Sequence, residues 1–221
     1  MQELTIKELY SLEHTEAKSL LESKVYPWEV LPEISGFILS LGATLSSDSY
    51  EKRGDNVWIA KTAKVADSAS ITGPCIIGEN TEVRHCAFIR GNALIGKNCV
   101  VGNSTELKNV ILFDCVQVPH YNYIGDSILG FKAHTGAGAI TSNVKSDKSL
   151  VAVKYGNEKI ETGLKKFGAM LGDCVEVGCG TVMNPGTVIG KNTSVYPLSS
   201  VRGFVKANSI YKHIGEVAER R

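Results

Sequence analysis

The stretch that decides the fold is ITGPCIIGENTEVRHCAFIRGNALIGKNCVVGN, residues 71–103. Every sixth residue in it is aliphatic, and the same spacing extends back to Ile59 and forward to Leu107. The full series is Ile59, Val65, Ile71, Ile77, Val83, Ile89, Ile95, Val101 and Leu107. A six-residue period fits neither the 3.6-residue period of an α-helix nor the two-residue period of a long strand. It indicates short strands that alternate with tight corners.

Small residues follow the same period. A small side chain stands four residues after each of the first eight aliphatic positions, at Ala63, Ala69, Cys75, Thr81, Ala87, Ala93, Cys99 and Thr105. The aliphatic period returns later at Leu171, Val177, Met183, Ile189, Val195 and Val201. Gly and Asn recur beside both series, and these residues tolerate the left-handed backbone that a tight corner requires.

The repeat predicts an all-β fold, a left-handed parallel β-helix of hexapeptide repeats over residues 57–205. Three six-residue units would form one triangular coil with the aliphatic side chains inside, and stacked coils would bury a continuous core. Left-handed crossovers are a known exception to the right-handed rule for parallel strands.

Residues 1–56 lack the repeat and show a helical pattern. Apolar residues at helical spacing follow Thr5, and PWEVLPEISGFILSLG predicts a second short helix that ends at Gly42. We expect a small helical N-terminal cap that covers the open end of the β-helix, where an exposed edge would otherwise recruit other chains. A partner-docking element or a substrate lid is the alternative.

Two other segments depart from the repeat. Between Leu107 and Leu171 the aliphatic series slips by one residue, and the stretch at about 142–168 interrupts it altogether. VAVKY and KIET around Gly156 and Asn157 predict a β-hairpin that protrudes from the prism. Residues 206–221 predict a C-terminal amphipathic helix across the last coil.

The composition limits the partners and the compartment. The 221 residues carry a formal net charge of +1, so we expect no binding to nucleic acid or to an anionic membrane. The N-terminus lacks the pattern of a signal peptide, and no apolar run is long enough to span a membrane. The six cysteines show no metal-finger spacing. These features predict a cytoplasmic protein with reduced thiols and no metal site.

The slipped region also holds the unusual polar residues: Lys108, His120, Tyr123, Asp126, His134 and Asn143. Arg90 precedes Lys108 by three six-residue units, which make one coil, so the two cations should stack on one edge. Stacked cations of this kind form a phosphate-binding clamp. A pair of solvated surface charges is the alternative.

Three motifs carry a family resemblance: GNSTELKN at 102–109, VPHYNYIGDS at 118–127 and TGAGAITSN at 135–143. They resemble the acetyltransferase domain of the bifunctional glucosamine-1-phosphate acetyltransferase/N-acetylglucosamine-1-phosphate uridyltransferase family, over roughly residues 57–205. The resemblance implies an acetyl-CoA-dependent N-acetyltransferase acting on glucosamine-1-phosphate or galactosamine-1-phosphate in nucleotide-sugar biosynthesis. It also implies a homotrimer with its active sites between neighbouring prisms.

The resemblance assigns a role to each matching residue. His120 matches the general base that removes a proton from the sugar amine, and a backbone N–H near Gly136 or Ala137 would stabilise the tetrahedral intermediate. The residues matching substrate binders are Arg90, Lys108, Tyr123, His134 and Asn143. Those lining the acetyl-CoA site are Ala137 and Cys179.

The sequence departs from the family at several of these positions. His134 stands where the family has Asn, Val144 where it has Tyr, and Cys179 where it has Ser. The first two changes affect the sugar pocket and leave the acceptor sugar open. Residues 1–56 are too few for the family's nucleotidyltransferase domain and contain no Gly-rich nucleotide loop, so we expect no uridylyl transfer by this chain alone.

Two other functions remain open. A γ-carbonic-anhydrase-like enzyme would need three histidines around zinc; His85 and His120 are about two coils apart, but the third ligand is missing and His134 substitutes poorly. A non-catalytic scaffold or regulatory partner of a nucleotidyltransferase would fit the altered sugar-pocket residues.

Overall fold

The six-residue period forms a left-handed parallel β-helix with three sheet faces in the computed structural model, which describes residues 1–213 and 216–219. The face that we name face A contains Val57–Ala60, Cys75–Ile77, Ala93–Ile95, 110–112, 127–129, Ala169–Leu171, Thr187–Ile189 and Phe204–Val205. Tyr50–Lys52 pairs antiparallel with its first strand.

Faces B and C complete each coil. Face B contains Lys64–Val65, Glu82–Val83, Val100–Asn103, Gln117–His120, His134–Thr135, Glu176–Val177, Ser194–Val195 and Ser209–His213. Face C contains Ser70–Ile71, Phe88–Ile89, 106–108, 123–125, Ile140–Thr141, Val182–Met183 and Ser200–Val201. The predicted fold class is confirmed.

The slip in the aliphatic series has a simple structural cause. Ile59, Ile77 and Ile95 pair across successive coils of three full six-residue units. The next two coils, which bring Leu112 and then Leu129 into register, are each one residue shorter. In those two coils the chain runs from face C to face A as the continuous strands Glu106–Leu112 and Tyr123–Leu129. The missing residue therefore shortens the corner between these faces at this level of the prism.

The N-terminal segment, residues 1–49, contains α1 (Ile6–Leu9), α2 (Lys18–Glu22) and α3 (Ile34–Gly42), with single 3₁₀ turns at Gln2–Leu4, Leu12–His14 and Pro27–Val30. The predicted helix end at Gly42 is confirmed. The expected position over the open end is wrong, because α3 packs on the face A strands at 75–77, 93–95 and 110–112. The open end instead keeps a cavity of about 310 Å³ lined by the inner residues of the first coil.

The reason for this position is a second apolar stripe. In face A the residue before each inward-facing aliphatic is also apolar, and it points outward because side chains alternate along a strand. Seven of these outward residues are buried, and Phe204 in the last strand is half-buried; the seven are Trp58, Ile76, Leu94, Ile111, Ile128, Met170 and Val188. Since faces B and C carry few such pairs, face A is the surface that the amphipathic segment covers.

The predicted hairpin is confirmed, but it does not protrude. Ala152–Tyr155 pairs antiparallel with Glu158–Glu161 around a two-residue turn. Val151 and Val153 are fully buried, and the Tyr155 ring lies 5.3 Å from that of Phe204. The hairpin packs on the last face A strands and extends the cover that the N-terminal segment begins.

The predicted C-terminal helix is wrong. Ser209–His213 is the last strand of face B, and Glu216–Glu219 pairs antiparallel with it. Tyr211 pairs with Val195 and is buried, so the repeat supplies an inner position that outweighs helical propensity in this segment. The remaining residues of that prediction, 214, 215, 220 and 221, lie outside the described part of the chain. Within the described part, no helix has the length and apolar character needed to cross a membrane.

Candidate active site

The two shortened corners between faces C and A gather polar side chains around Asp126. Asn109 and Asp126 form these corners with left-handed φ angles of 55° and 47°. Asp126 is only 4% exposed, and the Gly168 N–H donates to its backbone carbonyl at 2.8 Å. The backbone therefore directs a carboxylate into a site from which water is largely excluded.

The Asp126 carboxylate binds three side chains, which together with Tyr123 we name the Asp126 cluster. Lys108 Nζ lies 3.3 Å from Oδ1 and 3.2 Å from Oδ2. Asn109 Nδ2 donates to Oδ1 at 3.0 Å, and Asn143 Nδ2 donates to Oδ2 at 2.5 Å. Asn143 Nδ2 also donates to the Tyr123 hydroxyl at 3.1 Å. Three of the predicted substrate-binding residues thus meet around one carboxylate.

Arg90 and Lys108 stack in the register expected from their spacing, because Ile89 pairs with Leu107. They do not form an open two-cation clamp. Arg90 Nη1 lies 2.7 Å from Glu106 Oε1, and this hydrogen bond is the main cause that raises the pKa of the arginine. Each cation therefore already has a carboxylate partner. The sequence singled out Asp126 without this role and did not single out Glu106, although Glu106 lies within the GNSTELKN motif.

Tyr123 begins the face C strand that leads to Asp126. Burial raises the pKa of its phenol, and the nearby charge of Asp126 adds to the effect. The phenol is consequently protonated at neutral pH. Since its oxygen accepts from Asn143, its own O–H remains available as a donor.

A second group of predicted residues lies at the corner between faces B and C. Gly138 N–H donates to the His120 carbonyl at 3.0 Å, and Gly180 N–H donates to the Ala137 carbonyl at 2.8 Å. These bonds stack His120, Ala137 and Cys179 in one line along the prism, which we name the corner column. The His120 ring is exposed and makes no hydrogen bond within residues 1–213 and 216–219.

The corner column includes backbone amides that are candidate oxyanion donors. Gly136 N–H is excluded from that function because it donates to the Val177 carbonyl at 2.6 Å. The amides of Ala137 and Cys179 have no hydrogen-bond partner among the described residues, and Ala137 is the one that the sequence predicts as the donor. Asn122, which is buried, supports the corner by accepting from His120 N–H and donating to the Gly136 carbonyl.

His134 joins neither group. It lies on face B, where its Nδ1 is 2.8 Å from Glu176 Oε2, and it is part of the ladder through its pairing with Gln117 and Glu176. His85 lies at the B–C corner two coils before His120, with its Nδ1 3.1 Å from Ser68 Oγ. Among the described residues, no group of three or more His, Cys, Asp or Glu side chains is arranged to hold a metal ion.

Comparisons with known proteins agree with the motifs. The chain is 29% identical to a bifunctional sugar-1-phosphate nucleotidylyltransferase/acetyltransferase of Sulfurisphaera tokodaii, over 96% of this chain and 57% of the relative. It is 35% identical over 89 residues to the bifunctional protein GlmU of Methanococcus maripaludis, which is 40% of this chain and 21% of the relative. The chain thus spans less than two thirds of the length of these curated relatives.

Solved structures and a family model complete the comparison. The acetyltransferase domain of PglB from Neisseria gonorrhoeae, in complex with acetyl coenzyme A, aligns with a TM-score of 0.38 and 16% identity, covering 70% of this chain and 53% of that one. The model of the GMPPB C-terminal domain matches residues 71–192, which is more than half of the chain. The chain therefore belongs to the family described as the GMPPB C-terminal domain.

Proposed function

We propose that this chain is an acetyl-CoA-dependent N-acetyltransferase whose acceptor is an amino-sugar 1-phosphate, either glucosamine-1-phosphate or galactosamine-1-phosphate. The observation that carries the proposal is the position of the two residue groups at opposite edges of face C. The corner column holds a base at one edge, and the Asp126 cluster holds a cation and hydrogen-bonding groups at the other. The face C strand segment 123–125 lies between the two edges and spans about 10 Å at roughly 3.3 Å per residue, a distance that suits a sugar phosphate.

The corner column supplies the groups that acyl transfer requires. Acetyl-CoA would supply an acetyl thioester beside Ala137 and Cys179. His120 accepts the proton that the sugar nitrogen loses as its bond to the acetyl carbon forms, and returns a proton to the departing thiolate of CoA. The Ala137 N–H donates to the carbonyl oxygen as negative charge develops on it. The products are the N-acetyl sugar phosphate and free CoA, without a covalent enzyme intermediate.

The phosphate end of the acceptor would bind between Arg90 and Lys108. The Arg90–Glu106 pair is partly exposed, so solvent screens the attraction between the two charges and the pair is weak. A phosphate can therefore replace Glu106 at small cost. Lys108 keeps its contact with the buried Asp126 and still has a third N–H donor for the phosphate.

We also propose that the chain assembles as a homotrimer through faces B and C. Face A is unsuited to this because the N-terminal segment and the hairpin cover it. Among the exposed large apolar side chains, Phe88 and Ile140 lie on face C, and Tyr121 and Leu198 lie at the B–C corner. Clustered exposed apolar residues are typical of protein interfaces. Such contacts would place the corner column beside a neighbouring prism.

The experiment is a thiol-release assay with acetyl-CoA and either amino-sugar phosphate, comparing the unmodified protein with His120→Ala. His85→Ala is the matched control, since it removes a histidine from the same corner two coils away. We expect CoA release that depends on the sugar, falls by at least about 100-fold in His120→Ala and persists in His85→Ala. Equal activity in both variants would refute the assignment of His120, and no release with either sugar would refute the proposed function.

A separate test concerns the acetyl-CoA site. Cys86 and Cys179 are both exposed thiols at the B–C corner. If acetyl-CoA lies along the corner column, it should slow the alkylation of Cys179 and leave that of Cys86 unchanged. Equal protection of both thiols, or of neither, would count against this position for the cofactor.

A further inference from the structure

We infer that Asp126 is a positioning residue that fixes which atoms of Lys108, Tyr123 and Asn143 face the acceptor sugar. This inference rests on the proposed function, because it describes how the same site selects its substrate. The site then offers the sugar three groups: Asn143 accepts from a sugar hydroxyl, Tyr123 donates to an oxygen of the ligand, and Lys108 is the cation for the phosphate of the ligand.

The charge of Asp126 determines the direction of the hydrogen bonds around it. An ionised carboxylate only accepts hydrogen bonds, so each group that contacts Asp126 must be a donor. Lys108, Asn109 and Asn143 satisfy this condition and occupy both carboxylate oxygens. Because Asp126 is buried, water does not replace these donors at low cost.

The orientation of the Asn143 amide follows from this contact. Its nitrogen donates both to Asp126 and to the Tyr123 hydroxyl, which uses both N–H groups. A flipped amide would place its oxygen against the carboxylate and bring two acceptors together. The Asn143 oxygen must therefore face away from Asp126, and it has no hydrogen-bond partner among the described residues. It is available only as an acceptor, which suits a sugar hydroxyl.

The hydrogen-bonding role of the Tyr123 hydroxyl follows from the orientation of Asn143. Its oxygen accepts from Asn143, so its O–H can donate to an oxygen of the ligand. With the cation of Lys108, the three side chains present an acceptor, a donor and a positive charge. This pattern matches a sugar that carries a hydroxyl close to a phosphate, and it disfavours an analogue that lacks this hydroxyl.

The N-terminal segment fixes the same network from outside. Asn109 Nδ2, which donates to Asp126, also lies 3.2 Å from the carbonyl oxygen of Leu31. Leu31 belongs to the segment that covers face A. The position of the Asp126 cluster therefore depends both on the prism and on the segment packed against it.

The test is Asp126→Asn, which keeps the size of the side chain and removes the charge that fixes the Asn143 amide. We expect the KM for the amino-sugar phosphate to rise about 10- to 100-fold, as expected for one lost hydrogen bond to a charged group. The KM for acetyl-CoA and kcat should each change by less than about 3-fold. Discrimination against the deoxy analogue of the sugar phosphate should fall by a similar 10- to 100-fold.

Asp173→Asn is the matched control. Asp173 is 5% exposed and lies 3.3 Å from Lys191 Nζ, but it accepts from the backbone of Ser11 and Phe131 at the corner between faces A and B. A structural effect of losing a buried aspartate should appear in both variants, whereas loss of sugar discrimination should appear only in Asp126→Asn. Unchanged KM and discrimination in Asp126→Asn, or equal changes in both variants, would overturn the inference.

The double variant Asp126→Asn with Asn143→Asp keeps the inference testable even if the single variant is unstable. It exchanges donor and acceptor within the pair and still presents an acceptor to the sugar. Discrimination against the deoxy analogue should therefore be stronger than in Asp126→Asn. If that single variant is unstable, discrimination by the double variant should match that of the unmodified protein. A double variant that binds the deoxy analogue and the parent sugar with equal affinity would overturn the inference.

A measurement without catalysis separates this inference from the proposed function. The side-chain amide protons of Asn143 should exchange slowly in the ligand-free protein by NMR and quickly in Asp126→Asn. Slow exchange combined with absent acetyl transfer would refute the proposed function and leave the positioning intact. Acetyl transfer with an Asn143 amide that exchanges equally in both proteins would refute the positioning alone.

Discussion

Thr135 carries a hydroxyl group that the interior of the prism does not satisfy. The residue is fully buried, and its Oγ1 has no hydrogen-bond partner among the described residues. It pairs with Val177 in the following coil, and its neighbour His134 pairs with Gln117, which places Val118 at the same inner position in the preceding coil. Thr135→Val would therefore replace a hydroxyl by a methyl group in a stack that is already valine.

The magnitude follows from the environment of the oxygen. Burying a hydroxyl without a hydrogen bond costs about 1–3 kcal/mol in proteins. Valine keeps the branched shape, so the substitution leaves no cavity. We expect Thr135→Val to raise the free energy of unfolding by about 1–2 kcal/mol.

Thr141→Val is the matched control with the opposite sign. Thr141 is also a buried inner threonine, but its Oγ1 accepts from Gly125 N–H at 2.8 Å. Its removal leaves a buried N–H without a partner, which costs about 1–3 kcal/mol. The control is therefore expected to lower the free energy of unfolding.

The assay is urea unfolding followed by circular dichroism, with all variants at one protein concentration because assembly adds to apparent stability. The slope against urea should stay constant while the midpoint rises for Thr135→Val and falls for Thr141→Val. A lower midpoint for Thr135→Val would refute the reasoning, because it would mean that the hydroxyl has a partner in the folded protein.

Three further predictions concern packing and pH. Gly36→Ala in α3 should raise the free energy of unfolding by about 0.5–1 kcal/mol, because an added Cβ meets no atom within 4 Å. Gly102→Ala should prevent folding, because its Cβ would lie 1.6 Å from a backbone oxygen. The urea midpoint tests the first variant and the yield of soluble protein tests the second. Trp28→Ala should cost about 3–5 kcal/mol in urea unfolding, and a loss below 1 kcal/mol would mean that the N-terminal segment is not part of the core. Burial raises the pKa of Cys75 and of Cys99 to about 12, so the unfolded chain loses these protons at lower pH than the folded protein. Each thiol should therefore lower the free energy of unfolding by about 1.4 kcal/mol per pH unit between pH 9 and pH 12. Cys99→Ala should make this decline with pH less steep, and an unchanged slope would contradict the prediction.

Much of the fold could be predicted because the repeat is encoded locally. The six-residue period identifies the inner residues, and the turn at Gly156 and Asn157 identifies the hairpin. The predicted position of the N-terminal segment was wrong, although the sequence contains a signal for its true position on face A. An apolar residue such as Ile76 or Leu94 precedes every inner aliphatic on face A, whereas faces B and C carry only a few such pairs, and a continuous outward apolar stripe needs a cover.

The prediction of a C-terminal helix was wrong for a different reason. The final residues have helical spacing, but Tyr211 continues the inner stack of face B. Propensity is a weak guide where a repeat offers a buried position and a ladder of backbone hydrogen bonds.

The candidate site was predictable in its backbone register and not in its ion pairs. Counting three six-residue units correctly stacks Arg90 on Lys108, because the coil length sets the register. It does not show that Glu106 and Asp126 bind these cations, since those contacts depend on side-chain rotamers and on the shortened corner. The roles of His120, Ala137 and Cys179 remain predictions from the motifs.

The most direct test of the central claim is the identity of the bond that the protein forms. Acetyl-CoA labelled with a heavy carbon isotope at the carbonyl, mixed with a nitrogen-labelled amino-sugar 1-phosphate, gives a product that NMR resolves. The proposed function predicts direct carbon–nitrogen coupling in the product, which shows acetyl transfer to the sugar nitrogen. Label that remains in acetyl-CoA, or that reaches only a sugar oxygen, would contradict it.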